Sequence, residues 1–259
     1  MTAPRKPHRD RSFSSDVERF QKNIYATSKG RIREAVLSAD LQTLIHHEKP
    51  LRVLDVGAGQ GQVNQLFAAQ GHQVTHTDIA EEMVAAARQQ HAALGLSALY
   101  QYHTCALQAL PSLLAEHQPF DVVLCHAVLE WLAQPADALR TLTGLLKPGG
   151  WLSLMFYNRQ AQEMANLVYG NFDYINAGLQ VKKKVRFSPQ QPLAIAQVKN
   201  WATAQGLDLV QHSGVRCIHD YLRDLSHQSR DDLLEMELRY RQREPFRQLG
   251  RYQHFLLRK

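Results

Sequence analysis

The segment Leu51–Gly61, with the sequence LRVLDVGAGQG, constrains the fold of this chain more than any other stretch. Three β-favouring residues interrupted by one carboxylate, Asp55, predict a buried strand. The glycines Gly57, Gly59 and Gly61 then follow at alternate positions and predict a turn in which the backbone closely approaches a ligand. A strand followed by such a turn indicates a site for a nucleotide-like cofactor; the alternative is a purely structural loop.

The glycine spacing favours S-adenosylmethionine (AdoMet) over NAD as this cofactor. The dinucleotide fingerprint G-x-G-x-x-G requires a glycine where this chain has Gln62, and AdoMet sites use an acidic residue followed by G-x-G-x-G. A second carboxylate, Asp78, ends the next predicted strand, 17 residues after Gly61, where it can accept both ribose hydroxyls of an adenosine. NAD sites use the same device, so Asp78 supports an adenosine cofactor without choosing between the two.

Strand and helix patterns alternate along the rest of the chain, which predicts an α/β fold with a mostly parallel sheet and helices on both faces. Leu107, Gln108 and His126 follow predicted strands, so we expect the first two to flank the adenine and His126 to face the reacting methyl group. A packed histidine without ligand contact is the alternative for His126. The segment 147–150 predicts a turn between a helix and a strand. The further predicted strands are 71–78, 99–104, 120–126, 151–156, 207–215 and an antiparallel 250–258.

The length of 259 residues is typical of one large α/β domain with insertions. Residues 1–48 predict a helical N-terminal cap that breaks at Gly30, and residues 49–156 predict the cofactor-binding core. Two insertions, 157–189 and 217–249, follow strands at the cofactor end of the sheet. Substrate recognition is expected there in an open α/β fold.

Basic residues are concentrated in places that suggest an anionic partner. The first 33 residues carry nine Lys or Arg against three acids, in a chain of net charge +6. Both insertions mix cations with aromatic residues, a combination that suits an RNA backbone with unstacked bases. The alternative is a solvated basic face. The predicted tRNA-binding residues are Lys182, Lys183, Lys184, Arg186, Arg223, Arg241 and Arg243.

Other classes of protein are disfavoured by the composition. The chain has no apolar run of the roughly 20 residues that a membrane span needs, and its N-terminus lacks the apolar core of a signal peptide. Its cysteines, Cys105, Cys125 and Cys217, are odd in number and widely spaced, which argues against disulfides and a zinc site. We therefore expect a cytoplasmic protein that binds neither a membrane nor a metal.

The motifs LDVGAGQG, FDVVLCHAVLEW and LLKPGG, together with Asp78, resemble the class I AdoMet-dependent methyltransferases over residues 50–156. The segments NIYATSKGRIR, LSLMFYN, GNFDYINAG, VKKKVRFSP, GVRCIHDYLRD and LGRY are similar to one bacterial family, the tRNA 5-carboxymethoxyuridine methyltransferases. Members of that family esterify the carboxylate of a modified wobble uridine, position 34, in tRNA. This chain has Gly-Ala-Gly where the family often has Gly-Gly-Gly, and Ala58 adds only one methyl group.

This resemblance implies methyl transfer from AdoMet to tRNA, with contacts in the anticodon region. It also implies that cofactor contacts come from Arg33, Gly57, Ala58, Asp78, Leu107, Gln108 and His126; the glycine turn adds Asp55 and Gly59 to this set. A carboxylate substrate is ionised at pH 7 and needs no general base. A cation and nearby hydroxyls must instead position it, and the candidates are Arg216, Lys29, Tyr25, Tyr157 and Tyr221. Loss of Arg216 should then reduce ester formation far more than AdoMet binding.

Two other functions remain open at this level. The first is an AdoMet-dependent methyltransferase of a small carboxylic acid or quinone precursor, whose activity would be insensitive to salt, whereas RNA binding weakens steeply with salt. The second is a non-catalytic RNA-binding subunit that retains the fold, which would fail to bind AdoMet. An NAD dehydrogenase is disfavoured by Gln62.

Overall fold

A computed structural model describes residues 27–179, 191–224 and 229–259. Its centre is a seven-stranded sheet with the order β3-β2-β1-β4-β5-β7-β6, in which β7 alone runs antiparallel to its neighbours. This architecture confirms the predicted α/β class. The strands are β1 (Arg52–Val56), β2 (Gln73–Asp78), β3 (Tyr100–Thr104), β4 (Phe120–His126), β5 (Leu146–Tyr157), β6 (Asp208–Val215) and β7 (Tyr252–Arg258).

Helices cover both faces of the sheet. Those of the described residues are α1 (Ser28–Ile45), α2 (Gln62–Ala68), α3 (Glu81–Ala93), α4 (Leu110–Leu113), α5 (Pro135–Leu145), α6 (Arg159–Val168), α7 (Phe172–Asn176), α8 (Ile195–Ala204) and α9 (Arg230–Tyr240). Within the described ranges, no helix combines the length and the apolar composition that crossing a membrane requires.

The core explains why the strands are nearly continuous apolar runs. Val53 and Leu54 are neighbours on β1 and are both fully buried, because successive side chains point to opposite faces and each face is covered. Val53 belongs to the cluster that contains Leu37 of α1, whereas Leu54 belongs to the cluster that contains Leu139 of α5. Each fully buried aliphatic side chain contributes about 1.5–3 kcal/mol through the hydrophobic effect.

The N-terminal cap differs from its prediction. One helix, α1, begins at Ser28 and runs through Gly30 without a break. Gly30 lies in the first turn, where its N–H donates to the Thr27 carbonyl over 3.1 Å, and it is buried. The helical cost of glycine, about 1 kcal/mol, is overridden by this capping and packing. The part of the predicted cap before residue 27 lies outside the described residues.

Two details of the sheet also differ from the sequence-based expectation. The segment 147–150 lies within the bounds of β5 rather than before it, as an irregularity between the pairs Phe120–Leu146 and Val122–Trp151. The last strand is antiparallel as predicted, yet it lies between β5 and β6. Because β7 starts where β5 ends, Tyr252 pairs with Tyr157 at the carboxyl edge of the parallel strands.

Candidate functional site

The candidate site is a cavity at the carboxyl ends of β1 and β4, where a parallel sheet of this kind binds its ligands. Helix α1 forms its opposite wall. The residues that line it are Gly30, Arg33, Glu34, Leu37, Asp55, Gly57, Ala58, Gln62, Val63 and His126. The structure therefore brings together predicted cofactor residues from three separate parts of the chain.

The glycine loop approaches its surroundings so closely that side chains are excluded. Gly57 has φ +67°, and a Cβ atom built on it would collide with the Val128 Cγ2 atom. Gly61 has φ +79°, and its Cβ would lie 2.7 Å from the His91 ring. Both positions need glycine for its left-handed backbone and for its lack of a side chain.

Asp78, at the end of β2, forms a hydrogen bond with this loop. Its carboxylate accepts the N–H of Gly59 over 2.8 Å on one oxygen and that of Ala80 over 2.8 Å on the other. Burial raises the pKa of Asp78, and these two hydrogen bonds oppose the increase. Each oxygen retains a second lone pair, so the carboxylate can still accept the two hydroxyls of a ribose, as the sequence predicts.

Asp55 lies beneath the loop and is only 4% exposed. Its carboxylate accepts a 2.8 Å hydrogen bond from the Asn64 amide, and the Asn64 carbonyl in turn accepts the Tyr100 hydroxyl over 2.9 Å. Burial raises the pKa of Asp55 to about 7. The carboxylate lines the floor of the cavity and also braces helix α2 against β1 and β3.

Acid is expected to destabilise the fold through His76, a completely buried ring beside Asn64. Burial, reinforced by the charge of His91, lowers the pKa of His76 to about 3 from its usual 6.5. Between these values the unfolded chain takes up a proton that the folded chain excludes, so stability falls as the pH falls.

We expect His76→Phe to abolish this loss. The free energy of unfolding of this variant should exceed that of the unmodified chain by an amount that grows as the pH falls below 6.5. The growth is at most about 1.4 kcal/mol for each pH unit. Urea unfolding of both proteins at pH 7 and pH 5 measures the difference. Parallel pH dependences would show that His76 is not the responsible group.

Arg33 and His126 lie at the end of the cavity nearest α1. The Arg33 guanidinium stacks 5.0 Å from the centre of the Tyr252 ring, and its buried Nε–H has no hydrogen-bond partner in the described structure. His126 bonds through Nε2 to the Ser153 hydroxyl over 2.8 Å. Burial, reinforced by the nearby Arg33 guanidinium, lowers the pKa of His126 well below its usual range, so the ring is neutral. An unpartnered cationic N–H matches the α-carboxylate of AdoMet, so these residues fit that cofactor.

The remaining predicted cofactor residues lie at the same edge of the sheet. Leu107 and Gln108 follow β3 in a short turn, with Leu107 buried and Gln108 exposed. The cofactor contacts of all these residues stay predictions.

The predicted carboxylate-positioning residues have different environments. Arg216 is 8% exposed and adopts φ +63°, and its guanidinium donates two hydrogen bonds of 2.5 Å to the Asp220 carboxylate. The Tyr221 hydroxyl donates to the Leu249 carbonyl over 2.8 Å. Lys29 is exposed in the first turn of α1, and Tyr157 is buried at the end of β5. Tyr25 lies outside the described residues.

Two residues beside this group are absent from the sequence-based prediction. Arg251 stacks 4.9 Å from the centre of the Tyr157 ring and lies 3.7 Å from the Asp220 carboxylate. The ring of Tyr252 lies 5.6 Å from that of Tyr157 and carries Arg33 on its face. Both could have been found from the predicted antiparallel last strand. Such a strand begins at the edge of the sheet where the parallel strands end, which is the edge expected to bind the cofactor.

The predicted tRNA-binding residues also differ in their environments. Arg223 and Arg243 are exposed, and Arg243 stacks 4.8 Å from the centre of the Tyr240 ring. Arg241 already forms an ion pair of 3.0 Å with the buried Asp40. Lys182, Lys183, Lys184 and Arg186 lie outside the described residues. Across the described part of the chain, no three His, Cys, Asp or Glu side chains group in a way that could hold a metal ion.

Comparisons with solved structures agree with this fold. The magnesium protoporphyrin IX methyltransferase from Synechocystis PCC 6803, solved with bound SAH, superimposes with a TM-score of 0.64 at 16% identity, over 95% of this chain and 96% of that one. A methyltransferase domain family matches residues 54–154. The family match spans most of the first five strands, and the structural match covers nearly the whole fold.

Comparisons with curated proteins are more specific. The ubiquinone biosynthesis O-methyltransferase of Xylella fastidiosa (strain 9a5c) is 33% identical over 64% of each chain. The tRNA 5-carboxymethoxyuridine methyltransferase of Escherichia coli (strain K12) is 46% identical over 96% of this chain and 97% of that protein. Similarity of this extent, on this fold and around this cavity, shows that the chain belongs to the tRNA 5-carboxymethoxyuridine methyltransferases, a family of class I enzymes that use AdoMet.

Proposed function

We propose that this chain transfers a methyl group from AdoMet to the carboxylate of 5-carboxymethoxyuridine at the wobble position, 34, of tRNA, and so forms a methyl ester. One observation carries the proposal: the 46% identity to the Escherichia coli enzyme of that name spans 96% of the chain and therefore includes both insertions. The match to the ubiquinone enzyme covers only 64%. A tRNA substrate also implies that the enzyme works in the cytoplasm.

In the proposed reaction the main role of the protein is to position the two reactants. AdoMet, when bound, supplies an electrophilic methyl group on a sulfonium. The substrate carboxylate, with a reference pKa of about 4, is already the nucleophile at pH 7, so no side chain needs to remove a proton. The protein must align the carboxylate oxygen with the methyl group and exclude water from the charges.

We assign the cofactor to the glycine loop and its neighbours. Arg33 would hold the α-carboxylate through its unpartnered Nε–H, and Asp78 would accept the ribose hydroxyls. Gly57, Ala58 and Gly59 allow the backbone to approach the cofactor, and Asp55 supports them from below. Leu107 and Gln108 are assigned to the adenine side, and His126 to the methionine end.

The substrate carboxylate is assigned to the group of Arg216, Tyr157, Arg251 and Tyr252. Arg33 stacks on Tyr252, so this group adjoins the cofactor cavity. The guanidinium groups of Arg216 and Arg251 both contact the single carboxylate of Asp220, which leaves a net positive charge for an anionic substrate. Lys29, Tyr25 and Tyr221 remain further candidates.

The first insertion presents an aromatic surface that suits unpaired bases. Tyr169 and Phe172 are 69% and 58% exposed, beside the exposed Leu167 and Val168. Side chains this apolar rarely cluster on a surface without a partner. In the sequence they precede the basic segment 182–186, and aromatic faces next to cations bind splayed bases of an RNA loop.

We expect replacement of Tyr169 and Phe172 by alanine to raise the KM for tRNA about tenfold, since base stacking contributes about 1–3 kcal/mol. The AdoMet dissociation constant should not change. Val210→Ala is the matched control, because Val210 is 55% exposed on the edge strand β6. An unchanged KM for tRNA would remove this surface from the proposed interface.

Mass spectrometry of tRNA nucleosides after incubation with the enzyme and AdoMet tests the function itself. The expected product is carboxymethoxyuridine with one added methyl group, which mild alkali removes. Modification that declines steeply with added salt supports RNA binding. No change in any nucleoside would overturn the proposal in favour of a small carboxylic acid or quinone precursor. Failure to bind AdoMet would favour a non-catalytic RNA-binding subunit.

A further inference from the structure

A chain of buried hydrogen bonds runs from the cofactor cavity through the sheet to helix α9. The His126 Nε2 atom lies 2.8 Å from the Ser153 hydroxyl, which lies 2.8 Å from the His254 Nε2 atom. The His254 Nδ1 atom lies 2.8 Å from one oxygen of Asp40, and the Arg241 Nε–H donates to the other oxygen over 3.0 Å. We call these five residues the buried relay. Ser153 and His254 are fully buried, and Asp40 is 4% exposed.

The proton positions in the relay follow from its acidic end. Burial alone would raise the pKa of Asp40, but hydrogen bonds from His254, Ser213 and Arg241 hold it below the usual value, so the carboxylate is ionised. An ionised carboxylate only accepts, and therefore the His254 Nδ1 atom must carry a proton. If His254 is neutral, its Nε2 atom has a lone pair and accepts the Ser153 hydroxyl proton. Ser153 must then accept its second hydrogen bond from a proton on the His126 Nε2 atom.

A cationic His254 would reverse the two hydrogen bonds of Ser153, those with His254 and with His126. That state would add a second positive charge next to Arg241, whereas the single negative charge of Asp40 is already balanced by Arg241. A further unbalanced charge in a fully buried site is strongly unfavourable. With a neutral His254, the order of donors leaves a lone pair on the His126 Nδ1 atom. The ring that carries this nitrogen lines the cavity.

We propose that Asp40, His254 and Ser153 are positioning residues that fix the tautomer of His126, so that its Nδ1 atom accepts a hydrogen bond from the α-ammonium group of AdoMet. Arg33, at the same end of the cavity, presents a donor for the α-carboxylate. The two side chains together recognise an amino acid group with one acceptor and one donor. The inference rests on the cofactor part of the assigned site and not on the tRNA substrate.

The test compares two ligands that differ only in the amino group: S-adenosylhomocysteine and its analogue without the α-amine. The unmodified protein should bind S-adenosylhomocysteine at least about tenfold more tightly, as for a hydrogen bond to a charged group. Ser153→Ala removes the central link, so the preference should shrink to nearly one. Thr143→Val is the control, because this buried hydroxyl donates to the Leu139 carbonyl of its own helix, outside the buried relay.

Asp40→Asn supplies the decisive second variant. Its amide oxygen can still face Arg241, but its NH₂ group would donate to the His254 Nδ1 atom and so reverse the relay. His126 would then present an N–H to the cavity, and the analogue should bind as well as S-adenosylhomocysteine or better. In ¹⁵N NMR spectra the His126 proton should be on Nε2 in the unmodified protein and on Nδ1 in this variant.

Equal weakening of both ligands by Ser153→Ala would overturn the proposal, because a merely structural role predicts that result. A His126 proton on Nδ1 in the unmodified protein would also overturn it. If Asp40→Asn does not fold, the Ser153→Ala ratio decides alone. Both readouts use purified protein and ligand, so they are independent of whether the tRNA nucleoside is modified.

Discussion

Gly57→Ala is expected to weaken AdoMet binding by about 100-fold or more. Two costs add: a left-handed backbone at φ +67° for a residue with a Cβ, about 1–2 kcal/mol, and the collision with Val128, about 1–3 kcal/mol. The glycine loop must move to relieve them, and the loop forms the cofactor cavity. Calorimetric titration with AdoMet measures the loss, and thermal unfolding shows whether the rest of the fold is intact.

Gly71→Ala is the matched control for this experiment. Gly71 also has a positive φ, +85°, but a Cβ atom there would meet nothing within 4 Å. The Gly71→Ala variant therefore measures the cost of a left-handed alanine backbone alone, because it creates no collision and lies outside the cavity. Val128→Ala in the Gly57→Ala background should restore part of the affinity by removing the colliding atom. If Gly57→Ala binds AdoMet as tightly as Gly71→Ala does, the close approach of the loop to Val128 has no functional role.

Arg216→Ala is expected to reduce ester formation on tRNA by about 100-fold, which corresponds to the loss of a hydrogen bond between charged groups, about 1.5–3 kcal/mol. The AdoMet dissociation constant should change less than about threefold by comparison. Arginine and alanine bear the same backbone cost at φ +63°, so the variant isolates the guanidinium. Its loss leaves the Asp220 carboxylate with His219 and the more distant Arg251, and removes the net positive charge next to Tyr157.

Arg140→Ala is the control for the charge change, because Arg140 pairs with Asp137 on the exposed face of α5. It should alter neither activity nor cofactor binding, as expected for an exposed ion pair. Arg216→Lys should recover only part of the activity, since an ammonium cannot bond to Asp220 in the same two-pronged way. Equal losses of ester formation and AdoMet affinity in Arg216→Ala would exclude a role specific to the substrate.

Local sequence patterns predicted the elements at the carboxyl edge of the sheet, where the cavity lies. The strand Phe120–His126 has the predicted bounds, and Asp78 lies at the end of β2 as expected. These predictions succeed because strand ends and glycine turns depend on neighbouring residues. Gly30 was wrongly assigned as a helix break, because the burial of that residue depends on distant packing.

Charge patterns were less informative about the substrate side. Arg216 and Arg241 were both predicted from their positions in basic, aromatic segments, yet each guanidinium is paired with a carboxylate, Asp220 or Asp40. Asp40 is 201 residues away from Arg241 in the chain. A sequence shows that a cation is present but does not show whether its charge is already balanced.

The sequence by itself determined the fold class, the glycine loop and the carboxylate at the end of β2, because each depends on a short run of residues with a fixed spacing. Only the tertiary structure decided which side chains meet across the sheet. The antiparallel insertion of β7 brings Tyr252 and Arg251 to the cofactor edge and puts His254 between Ser153 and Asp40. Hydrogen bonds and ion pairs act over about 3 Å, so contacts between residues this far apart in the chain exist only once the strands have paired.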